Sequence, residues 1–213
     1  MPEKNLPMVR LCLGEDFETI QRRSSLRLLT KRTELLDMDL LGSDQPMVLE
    51  YQGAGCGFTL PPARSYSSVF LDGHAVNVAI APHLAYLSKA EAFALAHHLT
   101  ETFDRAGWKL TQERFTLEAT QEKFSDPATE SEFALEVFTR QCGRDALRLK
   151  IERHEKEGQK LPNRLTAVAD CYVVTVNITN DAIYTQYDNE NDRKRQGAVG
   201  ERKIPVKVEP AAK

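Results

Sequence analysis

The chain has 213 residues, with 28 basic and 31 acidic side chains and a formal charge of −3. That length suits one or two domains, and the near balance of charge disfavours a nucleic-acid binder, which needs a basic excess to neutralise phosphates. With 41% apolar residues, nine Phe and six Tyr among the aromatics, the chain can fill a core, and no apolar run in it approaches the ~20 residues of a membrane span.

In chain order, Met8 to Leu13 reads as a short strand closed by Gly14, and Asp16 as the N-cap of a helix carrying Phe17 and Ile20. Leu26 to Leu41 has Leu at 26, 28, 29, 35, 36, 40 and 41, a spacing that fits helix and strand alike. Met47 to Tyr51 and Gly57 to Leu60 read as strands, separated by a Gly-rich turn and ended by Pro61-Pro62. Tyr66 to Leu71 and Ala75 to Ile80 flank Asp72-Gly73, a dipeptide suited to the positive φ of a type I′ turn. In the second arm Val76, Val78 and Ile80 alternate with Ala75, Asn77 and Ala79, which predicts one face of branched side chains.

Ser88 to Ala106 is the clearest helix. Ser88 and Glu91 form a capping box, and Ala92, Leu95, Ala96, Leu99, Phe103 and Ala106 fall on one stripe. Gly107 then suits the C′ position, with Trp108 folding back on the last turn. Glu130 to Cys142 reads as a third helix, with Phe133, Ala134, Val137 and Phe138 inward and Gly143 ending it. Ala146 to Ile151 alternates as a half-buried strand, and Cys171 to Ile178 is the strongest strand pattern in the chain. Ala182 to Tyr187 is expected to pair back after a turn at Asn180-Asp181. Asp188 to Arg202 reads as a charged loop, and Lys203 to Val208 as an edge strand marked by Pro205.

These elements predict an α+β fold, antiparallel sheets with helices packed on one face. They allow two related αβ modules, residues 1–108 and residues 109–213, the second with the charged loop and tail.

Cys12, Cys56, Cys142 and Cys171 are scattered, with no CxxC pair and no zinc-finger spacing to a His. Two readings stand, buried thiols throughout or one disulfide in an oxidising compartment. The polar start Met1-Pro2-Glu3-Lys4-Asn5 has no apolar signal core, so at face value it predicts the cytoplasm. The periplasm is the alternative if a signal or anchor has been removed.

Few constellations promise chemistry. His97, Glu101 and Asp104 share a helix face, as a metal site or as a solvated pair of His97 with Glu101. Gly53-Ala54-Gly55-Cys56-Gly57 resembles a nucleophile loop with His74 or His83 as base, or else a plain turn with a buried Cys. A short strand follows this GxGxG, where a dinucleotide fingerprint needs a helix. Arg22-Arg23-Ser24-Ser25-Leu26 matches a basophilic kinase site, and Asn177-Ile178-Thr179 is a glycosylation sequon within a strand. Asp192-Arg193-Lys194-Arg195 is a basic knot suited to solvent or to an acidic partner. No catalytic, metal or cofactor residues are assigned, and the binding surface stays open.

Leu13-Gly14-Glu15-Asp16-Phe17-Glu18-Thr19-Ile20 and Phe70-Leu71-Asp72-Gly73-His74-Ala75-Val76 resemble the start and the hairpin of the SmpA/OmlA (BamE-like) envelope modules. The likeness covers residues 8–82 and extends to inhibitor and immunity proteins of similar two-layer build. It implies protein binding, with no catalytic residue to carry over. Together with the missing catalytic parts, it predicts a non-enzymatic bacterial protein-binding protein. An immunity or inhibitor protein for a secreted toxin comes first, a secretion or envelope accessory adaptor next. The alternative is a small thiol- or metal-dependent hydrolase using Cys56 with a histidine, or His97 with Glu101.

Overall fold

A computed structural model describes residues 6–33, 38–43, 45–53, 55–71, 73–114, 116–123, 134–154 and 171–180, all within one compact unit, Met1–Asn180. The expected elements beyond Asn180, and the Asp192 to Arg195 knot, lie outside the described residues.

The chain opens on β1 (Met8–Leu11) and α1 (Phe17–Arg23). Asp16 caps α1 as expected, its carboxylate accepting from the Thr19 amide and hydroxyl, both at 2.8 Å. The ambiguous leucine stretch resolves into two strands, β2 (Leu29–Thr33) and β3 (Met38–Ser43), paired antiparallel. β4 (Val48–Tyr51) and β5 (Phe58–Thr59) follow. β1 and β4 run parallel and β5 is antiparallel to β4, which makes a small three-stranded sheet.

β6 (Ser65–Leu71) and β7 (His74–Ala81) form the expected hairpin, with Leu71 opposite His74 and Gly73 at φ 78°. Helix α2 (Lys89–Arg105) carries the full capping box of Ser88 and Glu91. It buries Ala92, Phe93, Ala96, Leu99 and Phe103, with Leu95 and Ala106 partly buried beside them. Gly107 takes φ 86°, and the Trp108 amide turns back to the Phe103 carbonyl at 3.0 Å.

β8 (Lys109–Glu113), α3 (Leu117–Lys123), β9 (Ala134–Cys142), β10 (Asp145–His154) and β11 (Cys171–Asn180) complete the described elements. The helix expected over Glu130 to Cys142 is corrected, because Ala134–Cys142 is a strand paired with both β10 and β8. The register slips there, with Leu149 opposite Phe138 and Lys150 opposite Glu136. Val137 is the extra, bulged residue, and it and Phe138 are both buried. Adjacent inward residues followed the spacing of a helix stripe.

The large sheet has eight strands in the order β2-β3-β6-β7-β11-β10-β9-β8, every neighbour antiparallel. The fold is therefore α+β. β7 pairs with β11, so the sheet runs on across the 108/109 boundary expected between modules. Tyr172, Val174, Val176 and Ile178 of β11, with Leu147, Leu149 and Ile151 of β10, are buried on one face, where α2 packs. Alternate residues on the opposite face are half-buried, the usual signature of an antiparallel sheet with one wet side. The small sheet adds Val9, Leu11, Leu49, Tyr51 and Phe58 to the same core.

Candidate functional site

The Gly53 to Gly57 loop leaves β4 just after Tyr51. A Cβ on Gly53 would overlap the Tyr51 ring, so glycine is required by close approach. Cys56 forms a disulfide with Cys142 at the end of β9, with Cα atoms 6.4 Å apart. Trp108 donates its indole N–H to the Cys56 carbonyl at 2.9 Å. The nucleophile-loop reading is corrected here, because the Cys56 sulfur is bonded and no thiolate is present. The reading of buried thiols throughout is corrected with it, while Cys12 and Cys171 lie outside any disulfide. The loop is a clamp on an aromatic cluster. Phe58 stacks on Tyr51 at 5.4 Å and meets Phe103 edge-on at 5.0 Å, and Trp108 lies 5.8 Å from Tyr51.

The two proposed partner bases lie elsewhere. His74 is exposed, with Nδ1 at 3.0 Å from the Gly14 carbonyl oxygen. His83 is engaged with Ala85 and Val174.

The face of α2 that carries His97 does not gather three ligands. Asp104 is spent on Arg140, a buried side chain of β9 that also donates to the Trp108 carbonyl at 3.1 Å and lies over the Phe138 ring. His97 contributes to the field that holds the Glu118 carboxyl below its ordinary range, after hydrogen bonds from the Glu118 amide and Thr116. Among the described residues no three His, Cys, Asp or Glu side chains come together as a metal would need.

One polar knot escaped the sequence. Tyr51, buried in the core, donates its phenol to Asp145 Oδ2 at 2.5 Å, and Asn180 Nδ2 donates to Oδ1 at 3.1 Å. Burial raises the Asp145 carboxyl above its ordinary value, outweighing the two hydrogen bonds that oppose the shift. Burial and the same carboxylate push the Tyr51 phenol far up. The Cys12 thiol is raised by burial and by the Glu15 and Asp145 carboxylates, with Arg23 opposing. A protonated thiol is a poor nucleophile. Tyr51 and Asp145 are 94 residues apart, so no local pattern announces this knot. Its hydrogen bonds tie the small sheet to the large one, which is what these groups achieve.

The segment between β7 and α2 is ordered by an unusual ladder. The pairing of β7 with β11 reaches Val176 opposite Ile80, and Leu87 then bridges to Tyr172 through two backbone bonds of 2.9 and 3.0 Å. Between them, the Val174 amide donates to His83 Nε2 at 3.3 Å, and the other ring nitrogen lies 2.7 Å from the Ala85 carbonyl oxygen. That geometry assigns the hydrogen to Nδ1 and leaves Nε2 as the acceptor. The His83 carbonyl also accepts from the Arg64 amide at 3.0 Å. The loop pinned in this way exposes Leu84 (49%) and Tyr86 (58%). They are two of three exposed large hydrophobics among the described residues, the third being Leu110.

The two serines of the basophilic motif are structural. Ser24 Oγ accepts from the Arg10 amide at 3.1 Å and Ser25 Oγ from the Met8 amide at 2.8 Å, finishing the edge of β1. Asn177, on the wetter face of β11, accepts from Asn77 Nδ2 at 2.7 Å. None of the described helices is long and apolar enough to cross a membrane. Comparison of the chain with protein-family models, with curated proteins and with solved structures finds no match.

Proposed function

We propose that this chain is a non-enzymatic bacterial protein-binding protein, an immunity or inhibitor protein for a secreted toxin in the first instance and a secretion or envelope accessory adaptor in the second. The observation that carries this reading is the Leu84/Tyr86 loop. Single exposed apolar residues are ordinary, but here two large ones stand within three residues on a backbone held at both ends. An aromatic and an aliphatic side chain carried on a backbone already held in place spare the main-chain part of the ordering cost on docking, which is one way interface anchors gain affinity. The resemblance of residues 8–82 to envelope modules points the same way. The Cys56–Cys142 disulfide favours an oxidising compartment, the periplasm, over the cytoplasm.

The test is quantitative capture of the cognate protein from the native host, comparing the unaltered chain with a Leu84→Ser/Tyr86→Ser variant. The reading expects a stoichiometric partner retained by the first and lost by the second, with thermal stability preserved. Equal retention by both, or no partner and turnover of a small molecule, contradicts it.

A further inference from the structure

We infer that His83 is an acid-sensitive latch on the Leu84/Tyr86 loop, which a neutral imidazole holds in place and a protonated one releases. Its bearing on docking rests on the reading of that loop as the partner site. The need for a latch begins at Pro82. Alternate residues of β11 turn their main-chain groups toward β7, and the register of Val176 with Ile80, carried on by two residues, sets Pro82 opposite Val174. A proline has no hydrogen to give the Val174 carbonyl. The chain leaves the ladder there and returns at Leu87, which exchanges two main-chain bonds with Tyr172. Val174 is fully buried, and its amide would lack an acceptor if His83 Nε2 did not supply one at 3.3 Å.

Both ring nitrogens are committed, in opposite senses. Nδ1–H donates to the Ala85 carbonyl at 2.7 Å, while Nε2 accepts from Val174. An imidazolium carries a hydrogen on each nitrogen, so at Nε2 two donors would face one another with no acceptor between them. The ring takes up the proton by turning away from Val174, and that movement loosens its hold on Ala85, the residue between Leu84 and Tyr86. The main chain of His83 stays anchored, its amide to the Ala81 carbonyl at 2.8 Å and its carbonyl to the Arg64 amide at 3.0 Å. The released stretch is therefore residues 84–86. Burial opposes the proton and so does the Arg64 charge, whereas the Ala85 carbonyl favours it. The first turn of α2 brings Lys89 and Glu91, the latter held by Ser88, and β11 brings the thiol of Cys171 and the phenol of Tyr172.

The experiment is amide hydrogen exchange of the full chain, disulfide intact, read by NMR as protection factors from about pH 8 to about pH 5 beside the titration of the His83 ring. Protection at Val174 and Leu87 should fall as the ring takes up its proton, approaching about tenfold per pH unit, the limit for one proton. Val176 and Ile178, further along β11, should keep theirs. His83→Gln, whose side-chain oxygen accepts from Val174 without titrating, should stay protected throughout. His83→Leu, with no acceptor, should lose protection at Val174 and Leu87 at every pH. Protection that ignores the titration of the ring overturns the inference, as does a fall shared equally by Val176 and Ile178. So does a His83→Gln chain that opens in acid as the unaltered one does, or a His83→Leu chain fully protected at neutral pH. The docking reading fails separately, by capture that survives Leu84→Ser/Tyr86→Ser at neutral pH, an outcome that leaves these exchange rates untouched.

Discussion

The His83 imidazole occupies the place of a main-chain acceptor beside β11, and only its neutral form can do so. Burial, with Arg64 in support, holds its pKa below 6.5 against the upward pull of the Ala85 carbonyl. The unfolded chain, with an ordinary imidazole, therefore takes up the proton first as the pH falls. Stability from this site is complete above pH 6.5 and is lost as the pH drops below it. Thermal melts across that window should show His83→Gln with a flatter pH dependence than the unaltered chain; parallel curves would remove His83 as the cause. At the Tyr51 knot, Tyr51→Phe leaves Asp145 half-buried with only the Asn180 donor. Urea unfolding should record a loss of about 1–3 kcal/mol. Tyr66 offers the opposite case, a fully buried phenol whose oxygen has no hydrogen-bond partner among the described residues. Removing that hydroxyl in Tyr66→Phe should leave stability unchanged or raise it by up to about 1 kcal/mol.

Elements with their own chemical punctuation were legible in the sequence. Asp16, Ser88 with Glu91, Gly107 and the two-residue turn at Gly73 act on neighbours within a few positions, so their effect can be read without knowing the fold. Bulges are not of this kind. Val137 in β9 and Val76 in β7 each turn two adjacent residues inward, as Val69 opposite Asn77 and Phe70 opposite Ala75 show for the second. In β9 the result looked helical, and in β7 it buries Ala75 beside Val76, against the alternation expected there. Which strand carries the extra residue is decided by its partner, and the partner is distant in sequence. The Gly53 to Gly57 loop misled in the same manner, since its composition signals turning but its purpose comes from Tyr51, Trp108 and Cys142. Gly53→Ala should cost about 1–3 kcal/mol, because the Tyr51 ring is buried and its phenol is tied to Asp145. Chemical denaturation would measure it, and an unchanged midpoint would show that the ring can yield.

For the whole molecule, the disulfide joins the small-sheet side of the core to the far end of β9 across 86 residues. Closing so long a loop restricts the unfolded chain, and its removal in Cys56→Ser/Cys142→Ser should cost about 2–5 kcal/mol. Thermal unfolding with and without reductant would report the same loss in the unaltered chain and no further loss in the variant. The α+β class was evident from the mix of capped helix and alternating strands, but the joining of β7 to β11 was not. Strands nearly 100 residues apart find each other through a shared buried face, and no sequence feature marks that meeting. Two of the side chains that sequence spacing suggested for chemistry are committed to structural partners. Asp104 holds Arg140 and Cys56 holds Cys142. Among the described residues, two of the three large hydrophobics that face outward stand together on the pinned loop before α2, Leu110 being the third. Hydrogen exchange of the chain alone and in complex with its captured partner tests that reading most directly. Amides of residues 83–88 that slow on complex formation are the predicted result, and protection elsewhere with those amides unchanged would contradict it.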